Sequence, residues 1–268
     1  MIDKCDIVNK CSIIVIKGGN IVEQVTTERK YNIHYYEVDY RKKCLITTLI
    51  NYFQDIAIFQ SEQLGVGLNY LSDKNHSWVL YQWDINIDRY PMLGEAVKVT
   101  TKALSLKGIN AYRNFSVLDC ENRTIVNADS RWVLLDVKNM KIINIPKEFK
   151  QTYGVEDAYA TPLKLKKPVE PREFHYSKDF QIRYSDIDTN RHVNNAKYVD
   201  LALETMPLEV VQSNMLRHLK ILYKNQGRYG DTVKSLTELR DTEQGRVGRH
   251  KIVSKEQKPL CLLETYWV

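Results

Sequence analysis

A stretch in the middle of this chain returns at its end. GEAVKVTT from Gly94 resembles GDTVKSLT from Gly230, and DSRWV ending at Val133 resembles ETYWV ending at Val268. The spacing agrees too, since Gly94 to Trp132 covers 38 positions and Gly230 to Trp267 covers 37. Upstream, FQIRYSD matches the position of YNIHYYEVD, and the helix expected after His192 matches the one expected from Leu45. One strand-helix-strands unit therefore occurs twice.

The first copy shows what the unit contains. YNIHYYEVDY is rich in aromatic and β-branched residues and predicts a strand. Leu45, Ile46, Leu49, Ile50, Phe53, Ile56 and Ala57 then recur at the three-and-four spacing of a helix with one buried face. Gly65 and Gly67 end that helix. From Ser77 to Val137 come about four strand-length runs, broken by Pro91, Gly94, Gly108 and the turn at Cys120-Glu121-Asn122. A long apolar helix needs a sheet to cover it, so each copy is expected to be α+β, a long helix wrapped by an antiparallel sheet of about five strands. Two copies side by side form an intramolecular pseudo-dimer. Pro146, Pro162, Pro168 and Pro171 gather between the copies, where proline resists both regular structures. The expected organisation is an N-terminal extension over 1–28, a first domain over 29–150, a linker over 151–175 and a second domain over 176–268.

Composition narrows the function. With 43% hydrophobic and 27% charged residues, the 268-residue chain reads as an ordinary soluble protein. SIIVIKGG is too short for a signal-peptide core, and no run approaches the roughly 20 apolar residues of a membrane span. Cys5, Cys11, Cys44, Cys120 and Cys261 are odd in number and far apart, which predicts reduced thiols in a cytoplasmic protein. A net charge of +6 favours an acidic partner. Nucleic acid is not expected, because groups such as Arg41-Lys42-Lys43 and Lys164, Lys166, Lys167 are scattered and no nucleic-acid-binding motif accompanies them.

Polar chemistry concentrates in YSDIDTNRHVNNAKYVDLALETMP, which sets Asp188, Asn190 and His192 within five residues. The first copy carries Glu37-Val38-Asp39-Tyr40-Arg41-Lys42-Lys43 at that place, so the second copy supplies the polar groups of any reaction. Asp188 and Asn190 can also cap a turn and helix, as such side chains commonly do. Asp186 ranks below Asp188 and reads as a turn residue. His34, His76, His175, His218 and His250 read as structural. Val193, Ala196, Val199, Leu203 and Met206 make the helix's apolar stripe, which Pro207 ends.

DIDTNRHVNNAKYVDLALETMP resembles the D-x-D-x-N-x-H-V-N-N-x-K-Y segment of the fatty acyl-acyl carrier protein thioesterases, double (tandem) hot-dog enzymes of bacteria and plant plastids. RWVLLDVKNMKIINIP and ILYKNQGRYGDTVKSLT fit as well, and the resemblance covers about residues 30 to 268. It implies release of a free fatty acid from acyl carrier protein without metal or cofactor. Asp188 would be nucleophile or general base, with Asn190 and His192 directing N–H groups at the carbonyl or a water molecule. A helix beginning near Asn194, itself a substrate-binding candidate, would add backbone N–H groups. The first domain would hold the acyl chain, with Tyr81 and Trp83 lining a tunnel. Arg183, Arg191 and Lys197 would meet the acidic carrier protein, and a homodimer is left open. Where the plant members carry Glu-Cys, this chain has Gln226-Gly227. Glutamine orients water but is no base at neutral pH, so Gln226 is auxiliary and the burden falls on Asp188. An acyl-CoA thioesterase and a non-catalytic acyl-binding protein are the alternatives.

Overall fold

The computed structural model describes residues 10–17, 20–155 and 163–268. The chain divides into two compact units. One takes residues up to Val79 together with Arg89–Leu163, the other Leu80–Asp88 together with Lys164–Val268. Each is a hot-dog, a helix packed on an antiparallel sheet.

In the first unit the strands are β1 (Lys10–Lys17), β2 (Asn20–Asn32), β4 (Ala96–Lys107), β5 (Asn110–Leu118) and β6 (Thr124–Asp136), paired in that order, with a short β7 (Lys141–Ile143) on β6. Helix α1 (Ile46–Gln63) packs against β2 and β4. Its stripe is the one the spacing predicts. Leu49, Ile50, Phe53 and Ile56 are fully buried, and the Phe53 ring lies 5.2 Å from that of Phe115 on β5. Burying each such side chain is worth about 1.5–3 kcal/mol. Gly65 follows α1 at φ +72°, the left-handed conformation that a helix end takes most easily with glycine. On β5 alternate residues face inward, so Arg113 shares the Phe115 face. Its guanidinium bonds to Gln60 Oε1 and Thr101 Oγ1 and lies 5.2 Å from the Tyr153 ring. Short helices α2 (Leu68–Asp73) and α3 (Lys147–Thr152) close a satellite core around Phe149, Leu134 and Trp78.

The second unit repeats the plan. Strands β8 (Tyr176–Gln181), β10 (Thr232–Thr242), β11 (Gly245–Ser254), β12 (Pro259–Trp267) and β9 (Leu216–Tyr223) pair in that order. Along β3 (His76–Ile87), residues Gln82–Asn86 pair with β9. The repeat holds to the residue: Tyr31 faces Val97 as Phe180 faces Val233, and Gly94 and Gly230 precede their strands at φ +79° and +82°.

Three expectations change. The segment expected to be an extension, 1–28, carries β1 and most of β2 from Lys10 onward, while residues 1–9 lie outside the described residues. The second copy's helix is not long: α4 (Lys197–Leu203) has seven residues against eighteen in α1, and α5 (Leu208–Ser213) starts anew after Pro207, which has no N–H to continue the ladder. The strand that carries Tyr81 and Trp83 groups, from Leu80 on, with the second unit rather than the first.

Residues 163–175 have no regular structure, as their prolines predict, yet they are tied down. Lys166 O accepts from Gln82 Nε2 at 2.9 Å, Glu170 pairs with Lys251 at 2.6 Å, and Arg172 N–H donates to Glu238 at 2.8 Å. The sheet beside them carries a cross-strand row of alternating charge, Asp84, Lys220, Glu264, Arg249 and Glu238, each in register with the next. Lys220 and Glu264 are 3.0 Å apart, Arg249 and Glu238 3.7 Å. Burial pushes the Glu238 and Glu264 carboxyls up. The Arg172 N–H and Arg240 outweigh it at Glu238, and Tyr266 and Lys220 at Glu264, so both stay below the ordinary carboxylate range.

Candidate active site

Strand β2 in the first unit and β8 in the second each lead into a 3-10 turn, Tyr35–Glu37 or Tyr184–Asp186, followed by a tight loop. The two loops have the same backbone. Asp188 N–H donates to His192 O at 2.8 Å, as Asp39 N–H does to Lys43 O at 2.8 Å. Arg191 and Lys42 occupy the same left-handed position, at φ +62° and +64°. Asn194 N–H reaches back to Asp186 O, and Leu45 N–H to Glu37 O.

The aspartate holds the loop together in both. Asp188 Oδ1 accepts from the N–H groups of Asn190 (2.8 Å) and His192 (3.3 Å). Asp39 Oδ1 accepts from those of Arg41 and Lys43, both at 2.9 Å. The capping role therefore belongs to one oxygen of Asp188. Its second oxygen, Oδ2, has no hydrogen-bond partner among the described residues. What separates the copies is what stands around that aspartate: Asn190 and His192 in the second, Arg41 and Lys43 in the first. Asn190 is exposed, and Asp188 and His192 are half-buried.

Asp186 is a brace. Its carboxylate is gripped by the Arg183 N–H at 2.9 Å, by Nε at 3.1 Å and by Nη2 at 2.9 Å. Burial raises the Asp186 carboxyl and the Arg183 guanidinium more than offsets that, leaving it below the usual range. Glu37 fills the same place in the first unit, bonded to His34 and Tyr52.

Asn194 Oδ1 caps Ala196 N–H at 2.9 Å, and α4 starts only at Lys197. The backbone donors expected from a helix beginning near Asn194 are thus already engaged: Ala196 N–H by that side chain and Lys197 N–H by Asn194 O at 2.9 Å. Of the three cations expected to meet a carrier, Arg183 holds Asp186 and Lys197 pairs with Asp200 at 3.1 Å, while Arg191 is exposed.

Gln226 is exposed and directly precedes Gly227, which docks onto the loop. Gly227 O accepts from Val193 N–H at 3.0 Å, and its N–H donates to Tyr198 Oη at 2.9 Å. A Cβ at Gly227 would lie 3.1 Å from Val193 and 3.4 Å from the Tyr198 hydroxyl. A cysteine at this position would need the Val193 side chain to give by a few tenths of an ångström. Among the described cysteines, Cys44 and Cys261 are buried, and burial pushes the Cys44 thiol up to about 12 and raises that of Cys261. Tyr198 was not identified from sequence as part of the loop's support, because nothing in a helical tyrosine signals a hydroxyl aimed at a distant backbone.

Tyr81 is half-buried and Trp83 wholly buried on β3, where Trp83 faces Ile221 of β9. Both stand in the second unit's sheet.

Residues 24–153 match the acyl-ACP thioesterase N-terminal domain, and residues 169–268 the acyl-ACP thioesterase C-terminal domain. The chain belongs to the acyl-ACP thioesterase family. A chloroplastic acyl-[acyl-carrier-protein] hydrolase of Cuphea viscosissima is 27% identical over 92% of this chain and 63% of its own length. A chloroplastic palmitoyl-acyl carrier protein thioesterase of Gossypium hirsutum is 29% identical over 84% of this chain and 58% of its own. The chain thus spans about three fifths of these relatives. A solved Lactobacillus plantarum structure, provisionally called an oleoyl thioesterase, superposes with a TM-score of 0.86 at 27% identity, covering 90% of this chain and 95% of that one.

Proposed function

We propose that this acyl-ACP thioesterase family member hydrolyses the thioester of fatty acyl-acyl carrier protein, using the Asp188 loop. The observation that carries the reading is the comparison of the two loops. On one backbone, the second unit offers a carboxylate oxygen with an amide and an imidazole beside it, while the first offers arginine and lysine.

A thiolate with a conjugate pKa near 8.5 leaves readily, so the demanding steps are delivery of an oxygen nucleophile and stabilisation of the oxyanion. Asp188 Oδ2 acts as nucleophile or as general base for a water molecule. Asn190 Nδ2 and a ring N–H of His192 direct the carbonyl oxygen or that water, and Gln226 at the exposed rim assists in orienting it. The proton removed from water passes to Asp188 and then to the departing sulfur. The first unit holds the acyl chain, no cofactor takes part, and the enzyme works in the cytoplasm. The free thiols at Cys44, Cys120 and Cys261 support a reducing compartment.

The test is hydrolysis of acyl carrier protein loaded with chains of several lengths, beside the same chains on CoA. The expected result is faster turnover of the carrier-bound thioester, abolished in His192→Ala. Equal or better turnover of acyl-CoA, or none of either, overturns the reading.

A further inference from the structure

The first unit's loop does not carry the amide and imidazole of the second, yet it keeps other features of that loop facing outward. Tyr35 and Tyr184 occupy the same place and are 83% and 85% exposed. Lys42 and Arg191 occupy the same left-handed position, where a Cβ is strained and glycine would sit more easily. Both units nonetheless place a long, exposed cation there. Backbone geometry does not ask for that side chain, so its use is outside the loop.

The surroundings in the first unit extend the same surface. Tyr36 and Tyr40 are 77% and 74% exposed, the Lys43 ammonium lies 5.7 Å over the Tyr90 ring, and the Arg41 guanidinium, whose Nε is 3.4 Å from Asp39 Oδ2, lies 5.6 Å over the Tyr40 ring. The acidic residues within the loop are turned to internal work. Glu37 accepts from His34 and Tyr52, and Asp39 accepts from Arg41 and Lys43 N–H. Aromatic faces and cations therefore dominate what a partner meets, which suits an acidic protein surface with apolar spots.

We propose that the first unit's loop is a second docking site for acyl carrier protein, which is acidic, and that it binds the carrier without hydrolysing its thioester. The proposal rests on the carrier-protein reading of the second unit, from whose loop the shared tyrosine and cation are taken. One chain then binds two carriers, one at each loop.

The experiment is a calorimetric titration of the full-length protein with unacylated, pantetheine-bearing acyl carrier protein. Two carriers per chain are expected. Tyr40→Ala with Lys42→Glu and Lys43→Glu should bind one, its second step weakened by at least about 10-fold, with acyl-carrier hydrolysis unchanged within about 2-fold. Lys42→Gly, which removes the cation and relieves the backbone, guards against misfolding and should weaken the same step. A single carrier on the wild type, two undiminished carriers on the variants, or first-loop capture of anionic phosphatidylglycerol vesicles with no carrier bound there overturns the proposal. A wild type that binds two carriers but hydrolyses neither thioester leaves docking intact and removes the catalytic reading. One that hydrolyses acyl carrier protein and binds a single carrier does the reverse.

Discussion

Asp188→Asn separates the capping that one carboxylate oxygen performs in the structure from the catalysis proposed for the other. Asparagine keeps Oδ1, so it still accepts from Asn190 and His192 N–H at 2.8 and 3.3 Å. Replacing a charged acceptor by a neutral one weakens each bond by about half, from roughly 1.5–3 to about 1 kcal/mol. On two bonds that is about 1–4 kcal/mol, and solvent at the half-exposed loop holds the loss to the lower part of that range, about 1–2 kcal/mol. Asp39→Asn should lose the same amount, because its two bonds, both at 2.9 Å, do the same work. The activities part company. An amide is neither nucleophile nor base, so Asp188→Asn should lose about 100-fold to 10,000-fold in kcat, whereas Asp39→Asn should hydrolyse the acyl-acyl carrier protein thioester at the wild-type rate. Thermal melts and thiol release, measured on the same preparations, give both quantities. An Asp188→Asn enzyme that melts like Asp39→Asn and keeps a tenth or more of the activity refutes the catalytic role. Equal loss of activity in the two refutes the division of labour between the copies.

Gly227→Cys, which restores the plant residue, should cost about 1–3 kcal/mol by crowding Val193 and Tyr198 and should not raise turnover; an unchanged melting temperature would contradict the close approach at 3.1 Å. Lys220→Met removes the ammonium 3.0 Å from buried Glu264 but leaves Arg249 Nε 3.5 Å away and the Tyr266 hydroxyl bonded, so it should destabilise by about 1.5–3 kcal/mol in urea unfolding, a larger effect than Lys197→Met, whose partner Asp200 is partly exposed. Because the Glu238 and Glu264 carboxyls are held low, the stability they contribute is complete above the ordinary carboxylate value of about 4.3 and declines as pH falls below it. Glu238→Gln should accordingly melt lower than wild type at pH 7, and the gap should narrow as pH falls below about 4.3; a gap that stays constant through acid pH would argue against the linkage. Peptide mapping after iodoacetamide at pH 7.5 should find Cys120 modified and Cys44 and Cys261 protected, since of these three Cys120 alone is exposed.

The twofold plan was legible before any coordinates because it is written in period and spacing. The α1 stripe from Leu49 to Ile56, the turn glycines at 94 and 230 and the tryptophans at 132 and 267 are local patterns, and hydrophobic periodicity reports them directly. The dense polar loop at 188–192 was legible for the same reason, as a short contiguous motif. Other features were out of reach of local pattern. The residues before about 28 lack a clear period, yet Asn20–Asn32 is a strand, paired from Thr26 on with β4, a partner far along the chain that local pattern does not report. The helix after His192 was expected to run on to Pro207, and it covers only Lys197–Leu203. Which aspartate oxygen caps, which hydroxyl holds Gly227 and which carboxylates are braced by arginine depend on side chains far apart in the chain meeting in space. By itself, the sequence determined that one unit is used twice and where its polar chemistry lies. Only the tertiary structure decided that Asp188 and Asp39 share one structural task, because equivalence of two loops is a matter of matching backbone hydrogen bonds, which no spacing of residue types records.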